Sequence, residues 1–160
     1  MQKKTIETQF TICSYNELDN TAQHLINKAK EQTKTSYSPY SSFRVGAAVL
    51  LENGEIVTGS NQENAAYPSG ICAERVAIFY ANAQYPDVPV KAIAIAGYTN
   101  GKYVQLPITP CGACRQVLLE TEIRFEKDIK IFLYGEEHVC MLNNVKELLP
   151  LSFVKESLKG

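Results

Sequence analysis

The sequence lacks an excess of charge of either sign. Its 16 lysines and arginines nearly balance its 17 aspartates and glutamates, so the formal net charge is −1 at pH 7. It also has no run of lysines and arginines that would form a basic channel. Because nucleic acids and anionic membranes bind basic surfaces, we expect neither of them as a partner.

Long apolar segments are also missing. No apolar run approaches the ~20 residues that a helix needs to cross a bilayer. The residues after Met1 are Gln2, Lys3 and Lys4, and no apolar segment typical of an export signal follows them. We therefore expect a cytoplasmic protein without a membrane-spanning segment.

The cysteine count is odd, at five. In a protein without an export signal, this number argues against a disulfide framework and favours metal ligands, reactive thiols or buried side chains. The sequence also has no repeat, no low-complexity tract and no long linker. Its 160 residues suit one hydrophobic core, and we expect a single domain over residues 1–160.

Hydrophobic periodicity predicts strands and helices along the whole chain. In residues 1–15, Ile6, Phe10 and Ile12 recur at a period of two, which indicates an additional short strand. A cap at Asn16 or Asp19 predicts a helix that ends near residue 33. The elements predicted after it are a hairpin at 45–59 with an Asn53-Gly54 turn, helices at 72–82 and 111–121, strands at 90–97, 129–134 and 139–142, and a short helix at 145–149.

This order of elements predicts one sheet with helices packed on its faces, an α/β sandwich. The segment at 90–97 is a continuous apolar run, which is typical of a central strand. In the helix at 72–82, we expect Val76 and Phe79 to face the core.

Three cysteines occupy positions that suit a metal ion. Cys72 begins one predicted helix, and Cys111 and Cys114 form a C-x-x-C that begins another after Pro110. The free N–H groups and the positive dipole end of a helix favour thiolate over thiol, and thiolate is the zinc ligand. Three protein ligands leave one tetrahedral position for water, which is typical of catalytic zinc.

Two charged residues close to Cys72 suit a catalytic role. Glu74 lies two residues further on, so in the first helical turn its carboxylate can lie beside a metal without binding it. A carboxylate in that place can take a proton from water and deliver it to a substrate nitrogen. Three thiolates leave a Zn²⁺ site with a net charge of −1, and Arg75 can offset this charge by donating hydrogen bonds to the sulfurs.

Each of these features also has an ordinary explanation. A C-x-x-C alone is often a redox pair or half of a structural zinc site. A structural site needs a fourth ligand, and the candidates Cys140, His138 and His24 lack the usual paired spacing. Glu74 alone is more often an ordinary first-turn acid. The combination with Cys72 is what favours catalytic zinc.

At these residues the sequence resembles the zinc-dependent deaminases, in which a ligand-x-Glu motif is followed by P-C-x-x-C. With cysteine as the first ligand, it is similar to the small homotetrameric cytidine deaminases. The resemblance spans roughly residues 20 to 155 and implies a three-layer α/β/α sandwich with a central mixed sheet of five strands. The segments that carry it are Tyr37-Ser38-Pro39-Tyr40-Ser41-Ser42-Phe43, Val45-Gly46-Ala47-Ala48, Asn61-Gln62-Glu63-Asn64-Ala65-Ala66-Tyr67, Cys72-Ala73-Glu74-Arg75, Pro110 through Gln116, and Glu147-Leu148-Leu149-Pro150.

The resemblance implies a role for the metal-site residues. Cys72, Cys111 and Cys114 would bind one Zn²⁺ per subunit, and Arg75 would tune the charge of that site. Glu74 would pass protons to N3 of the pyrimidine and to the departing amine.

The resemblance also implies contacts with a nucleoside. Asn61 and Glu63 would hydrogen-bond the ribose hydroxyls, although without the motif they would be assigned to a polar loop that caps its own backbone. Phe43 would pack on the pyrimidine, and the backbone near Ala73 would meet the edge of that ring. Phe153 would stack on a base in a neighbouring subunit, or serve only as a C-terminal anchor.

The implied activity is hydrolysis of cytidine and deoxycytidine to uridine and deoxyuridine with release of ammonia, as in pyrimidine salvage. The implied assembly is a homotetramer with shared active sites, in which Tyr67 also lies at a subunit boundary. The alternatives are a deaminase of another aminopyrimidine nucleoside such as blasticidin, an enzyme that edits bases in nucleic acid, a non-catalytic zinc-binding module, and a redox protein that cycles a Cys111–Cys114 disulfide. No role is predicted for Cys13 or Cys140.

Overall fold

Turn residues divide the chain into short strands and three longer helices. A computed structural model describes residues 1–159. The helices are α1 (Asn20–Gln32), α2 (Ala73–Gln84) and α3 (Gly112–Phe125). The strands are β1 (Thr11–Cys13), β2 (Arg44–Leu51), β3 (Ile56–Ser60), β4 (Val90–Thr99), β5 (Lys102–Tyr103), β6 (Lys130–Tyr134) and β7 (Val139–Leu142). Short 3₁₀ turns lie at Tyr15–Glu17, Thr33–Thr35, Tyr67–Ser69, Val145–Leu148 and Lys155–Leu158.

The strands form one mixed sheet in the order β1-β7-β6-β4-β2-β3, and β5 pairs with β4. The β4 and β6 strands are parallel, and every other neighbouring pair is antiparallel. Two parallel strands need a long crossover connection, and α3 lies in the one between β4 and β6. This crossover matters for the site because α3 carries two of the three cysteines.

The helices cover both faces of the sheet, so the expected three-layer α/β/α sandwich is confirmed. In β4, Ile93 and Ile95 belong to the core cluster under α2 and α3, and the alternating Ala92 and Ala94 belong to the cluster under α1. Because side chains alternate along a strand, one sequence segment supplies both cores. Within residues 1–159, none of the helices is long and apolar enough to cross a membrane.

The expectation of five strands is wrong, because the part of the chain described here has seven. One additional strand, β5, follows Asn100 and Gly101, whose φ angles are +52° and +77°. Two successive left-handed residues are typical of a tight hairpin turn, and this turn folds the chain back onto β4. The other, β1, lies at the free edge of β7, within the segment for which periodicity indicates an additional strand.

The position of Phe79 differs from the expectation for its helix. Its side chain is 49% exposed, whereas Ala77, Ile78 and Ala81 are buried. The helix begins with Ala73 and Glu74 on its buried face, and positions four and eight residues further on therefore face the sheet. Phe79 falls on the opposite side, so α2 presents an aromatic ring to solvent.

The segment before α1 is anchored by an aromatic cluster. The Nζ of Lys30 lies 4.4 Å from the ring centre of Tyr134, 4.6 Å from that of Tyr103 and 5.9 Å from that of Tyr15. The Tyr15 and Tyr134 rings also pack edge to face. A cation enclosed by aromatic faces is held electrostatically, so Lys30 ties the chain that follows β1 to α1 and the sheet.

The two cysteines without a predicted role lie on neighbouring strands. In the pairing of β1 with β7, Cys13 faces Val139, and Cys140 faces Ile12. Adjacent residues of a strand point to opposite faces of a sheet. Cys13 accordingly packs against the core under α1 and Cys140 against the core under α2 and α3, so the two thiols are not placed to form a disulfide.

A buried carboxyl group links α3 to the end of the fold. One oxygen of Glu122 accepts hydrogen bonds from the Ile129 N–H at 3.0 Å and from the Val145 N–H at 2.7 Å. The side chain is only 3% exposed, and burial raises the pKa of this carboxyl group. Glu122 therefore joins the start of β6 to the turn that precedes the C-terminal segment.

Replacing Glu122 by alanine should lower the free energy of unfolding by about 2–4 kcal/mol, because two buried N–H groups then lose their acceptor. The exposed Glu120 on the same helix provides the matched control, and Glu120→Ala should change stability by less than about 0.5 kcal/mol. Urea titrations of both zinc-loaded variants measure the difference. Equal stability of the two variants would contradict this role of Glu122.

Candidate metal centre and active site

Three sulfur atoms lie together where two helices begin. Cys72 immediately precedes α2, Cys111 immediately precedes α3, and Cys114 lies in the first turn of α3. The Sγ–Sγ distance is 3.9 Å between Cys72 and Cys111 and 3.5 Å between Cys111 and Cys114, and all three atoms lie within 4.8 Å of one another. Thiolates at ~2.3 Å from a tetrahedral Zn²⁺ are about 3.8 Å apart, so the spacing fits zinc.

The cluster has three protein ligands and not four. Among residues 1–159, no further histidine, cysteine, aspartate or glutamate completes the group, so Cys140, His138 and His24 lie outside it. Structural zinc sites are almost always closed by four protein ligands, whereas catalytic sites keep one position open. The donor set therefore has the composition of a catalytic site.

The surroundings of Cys72 favour its thiolate form. Hydrogen bonding from Cys114, followed by that from Arg75 and Cys111, lowers the pKa of Cys72 to about 5 against the opposing effect of burial. The Nη2 atom of Arg75 lies 3.8 Å from the Cys72 sulfur. The pKa of Cys114 is raised, chiefly by its hydrogen bond to Cys72 and by burial. Three thiolates this close need a cation between them to be ionised together.

Glu74 lies beside the sulfurs and away from water. It is in the first turn of α2 and only 5% exposed. Burial is the main cause that raises its pKa, and the neighbouring Cys72 raises it further. A carboxyl group with a raised pKa exchanges protons more readily near neutral pH, which is a property of general acids and bases.

A glycine in β3 allows α2 to begin close to the sheet. A Cβ atom at Gly59 would lie 2.6 Å from the Ala77 nitrogen and 2.8 Å from the Ala73 oxygen. Any side chain at this position would therefore push the first turns of α2 outward. Because Cys72 and Glu74 lie at that end of the helix, Gly59 sets their depth relative to the sheet.

A cleft of about 510 Å³ opens next to the cluster. Its lining includes Cys72, Arg75, Asn61, Glu63 and Tyr67. The structure thus brings one metal-site thiol together with both of the polar residues for which the resemblance implies ribose contacts. The volume is that of a small-molecule pocket.

Asn61 supports the wall of this cleft through its side chain. Its Oδ1 accepts hydrogen bonds from the Ser36 hydroxyl at 2.5 Å and the Val45 N–H at 2.7 Å, and its Nδ2 donates to the Phe43 carbonyl at 2.9 Å. A primary amide carries two N–H donors, so Asn61 retains one for another partner. The contacts with Val45 and Phe43 agree with the alternative in which Asn61 caps nearby backbone groups. The remaining N–H group can still bind a ligand.

Glu63 is held by the preceding loop. One oxygen accepts from the Tyr40 N–H at 2.9 Å and the Ser41 N–H at 3.2 Å, and the other accepts from the Ser41 hydroxyl. The hydroxyl of Ser41 is the main cause that lowers the pKa of Glu63. A carboxylate has about four acceptor positions, so Glu63 keeps one acceptor position while its orientation is set.

The remaining residues implied by the resemblance are more dispersed. Phe43 is half-buried, Ala73 is fully buried at the start of α2, and none of the residues that line the cleft is Phe43, Ala73 or Phe153. Tyr67 is 77% exposed and Phe153 is 60% exposed. Tyr67 is therefore an exposed ring within the lining of the cleft, whereas Phe153 is an exposed ring outside that lining.

Two residues after the C-x-x-C make contacts that the sequence did not reveal. Arg115 donates hydrogen bonds to the Pro110 carbonyl at 2.8 Å and to the Leu148 carbonyl at 2.9 Å. Gln116 donates to the Phe153 carbonyl at 2.8 Å. Both residues lie inside the matching segment Pro110 through Gln116, but nothing in that segment shows which distant carbonyls they meet.

Known proteins are similar to this chain over most of its length. Residues 19–126 match the family described as the cytidine and deoxycytidylate deaminase zinc-binding region. A cytidine deaminase from Halalkalibacterium halodurans is 39% identical over 136 residues, which cover 85% of this chain and 96% of that protein. One from Sporosarcina psychrophila is also 39% identical, over 85% of this chain and 93% of its own length.

Solved structures of cytidine deaminases are also similar to this chain. The crystal structure of a cytidine deaminase from Burkholderia pseudomallei has a TM-score of 0.70 at 38% identity and covers 85% of this chain and 100% of that one. The cytidine deaminase from Mycobacterium tuberculosis has a TM-score of 0.67 at 31% identity, over 85% of this chain and 99% of its own. The similarity therefore extends over nearly the full length of these relatives.

Proposed function

This chain belongs to the cytidine and deoxycytidylate deaminase family, and from this we propose that it is a zinc-dependent hydrolase that converts cytidine and deoxycytidine to uridine and deoxyuridine with release of ammonia. The observation that carries the proposal is the open group of three sulfurs with the buried Glu74 beside it. A fourth protein ligand would instead have favoured a non-catalytic zinc-binding module.

Cys72, Cys111 and Cys114 would hold one Zn²⁺ per subunit. Zinc with three protein ligands lowers the pKa of a coordinated water to about 7 and so supplies a nucleophile at neutral pH. Arg75 donates toward the Cys72 sulfur and reduces the negative charge of the three thiolates.

Glu74 would be the group that moves protons. In deamination, water adds at C4 of the ring, and one proton goes to N3 and one to the departing amino group. Glu74 would accept one proton of the attacking water and donate it to N3. It would then take the remaining proton from the hydroxyl group at C4 and deliver it to the amine, so that the C4–N bond breaks, the C4 carbonyl forms and ammonia leaves. Because burial raises the pKa of the Glu74 carboxyl group, this group suits both the uptake and the release of a proton.

We propose that Asn61 and Glu63 bind the ribose hydroxyls. After their contacts with the protein, Asn61 has one N–H donor and Glu63 one acceptor position to offer. A hydroxyl group both donates and accepts, so this pair matches it. Phe43 and the backbone at Ala73 would contact the pyrimidine, which favours a nucleoside over other amines.

We propose further that four copies assemble and share their active sites. Tyr67 and Phe153 leave large aromatic surfaces uncovered, and so do Phe79 and Tyr80 on α2, at 49% and 56% exposure. Aromatic residues exposed beside a site are typical of subunit contacts. Sizing in solution tests this assembly, and an active monomer would contradict it.

A role in pyrimidine salvage in the cytoplasm follows from the same proposal. The substrates would be free nucleosides, and the five cysteines are all unpaired thiols in residues 1–159. Thiolate zinc sites and free thiols persist in reducing compartments, whereas disulfides form in oxidising ones.

Zinc analysis combined with an ultraviolet assay of cytidine conversion tests the activity. We expect one zinc per subunit and equal amounts of uridine and ammonia, with deoxycytidine also converted. Blasticidin and a cytosine-containing oligonucleotide serve as comparison substrates. Conversion of either one in place of cytidine, or bound zinc without any conversion, would contradict the proposal.

A further inference from the structure

The C-terminal segment that carries Phe153 has no regular secondary structure, yet it is held firmly. In residues 151–154, exposed and half-buried positions alternate, with Leu151 and Phe153 outward and Ser152 and Val154 inward. Val154 packs against the core under α2 and α3. The Phe153 ring is 60% exposed, so the main chain is attached to the protein while the ring remains free.

The attachment comes from the helix that carries the metal ligands. The Nε2 atom of Gln116 donates to the Phe153 carbonyl at 2.8 Å, and Nη1 of Arg115 donates to the Leu148 carbonyl at 2.9 Å. Gln116 lies two residues after Cys114. Consecutive residues of α3 therefore hold the main chain shortly before this segment, at Leu148, and within it, at Phe153.

The same arginine also holds the chain in front of the cysteines. Its Nε donates to the Pro110 carbonyl at 2.8 Å and its Nη2 to the Thr109 hydroxyl at 3.2 Å. Arg115 thus connects the residue before Cys111 with the start of the C-terminal segment. Through these contacts the position of Phe153 is set relative to the metal centre and not only to the core.

We propose that Gln116 is a positioning residue for the substrate site of a neighbouring subunit: it holds the main chain at Phe153 so that the ring is presented in one fixed orientation. The inference rests on the proposed nucleoside deaminase function and its shared sites. Gln116 has no contact with the three sulfurs among the hydrogen bonds of residues 1–159, so its effect should be on substrate binding and not on the metal.

Replacing Gln116 by methionine keeps the length of the side chain and removes the donor. We expect KM for cytidine to rise about 3- to 10-fold, which is the range for the loss of one hydrogen bond, with kcat within about twofold of the unaltered enzyme and zinc content unchanged. Gln116→Glu has the same shape but carries only acceptors, so its carboxylate should repel the Phe153 carbonyl and raise KM at least as much. If the Gln116 side chain only filled space, Gln116→Glu would have nearly the same KM for cytidine as the unaltered enzyme.

A double-mutant cycle with Phe153→Ala tests whether Gln116 acts through Phe153. In the Phe153→Ala background, Gln116→Met should change KM by less than about twofold. Additive effects, a normal KM in both single variants, or a loss confined to kcat would each overturn the inference. An unaltered enzyme that converts no cytidine would overturn the proposed function as well, whereas an active enzyme with unchanged Gln116 variants would overturn only the positioning role.

Discussion

Replacing Glu74 by glutamine should lower kcat for cytidine by about 10²–10⁴-fold, the usual contribution of a positioned general acid and base, while the enzyme still binds one zinc per subunit. Glutamine has the shape of glutamate but cannot exchange a proton at neutral pH. Because Glu74 would act at N3 and again at the leaving amine, its loss affects more than one step. The buried position of the side chain means that bulk water does not easily replace it.

The measurement is kcat and KM of Glu74→Gln, with zinc content determined on the same sample. Glu120→Gln is the matched control, since Glu120 is an exposed carboxylate and should leave both constants unchanged. Retention of most of the activity by zinc-loaded Glu74→Gln would show that another group moves the protons. A loss of zinc would instead mean that Glu74 supports the metal site.

The second large effect is expected at the sulfurs. Cys114→Ala should lower zinc affinity by more than the 10–100-fold that is typical when only a residue supporting a ligand is lost, and conversion of cytidine should become undetectable. Cys114 is fully buried, and two thiolates would remain without the third donor that completes the site. A catalytic zinc with two protein ligands is outside the usual coordination.

The chain offers its own controls for this experiment. Cys13 and Cys140 are also free thiols, but both lie at the β1–β7 edge of the sheet and outside the metal-ligating group. Cys13→Ala and Cys140→Ala should each retain one zinc per subunit and normal kcat. Zinc loss in either of them, or normal zinc content in Cys114→Ala, would contradict the assignment of the three ligands.

The prediction of the fold from the sequence succeeded where the signal is local. Asp19 caps α1 through a hydrogen bond from the Ala22 N–H at 2.8 Å, and the alternation of isoleucine and alanine in β4 divides the two cores. It failed for Phe79, because one apolar residue in an amphipathic helix does not show which side the sheet will cover. It also missed β5, because this strand has only two residues, Lys102 and Tyr103, which are too few to show an alternating pattern.

The sequence by itself determined which residue types form the candidate site, because the three cysteines, their positions at helix starts and the acid two residues after Cys72 are properties of short segments. Only the tertiary structure decided how these segments meet. Cys72 and Cys111 are 39 positions apart, and Gln116 and Phe153 are 37 apart. Such contacts depend on the order of strands in the sheet and on the direction of each side chain, and no local pattern encodes either of them.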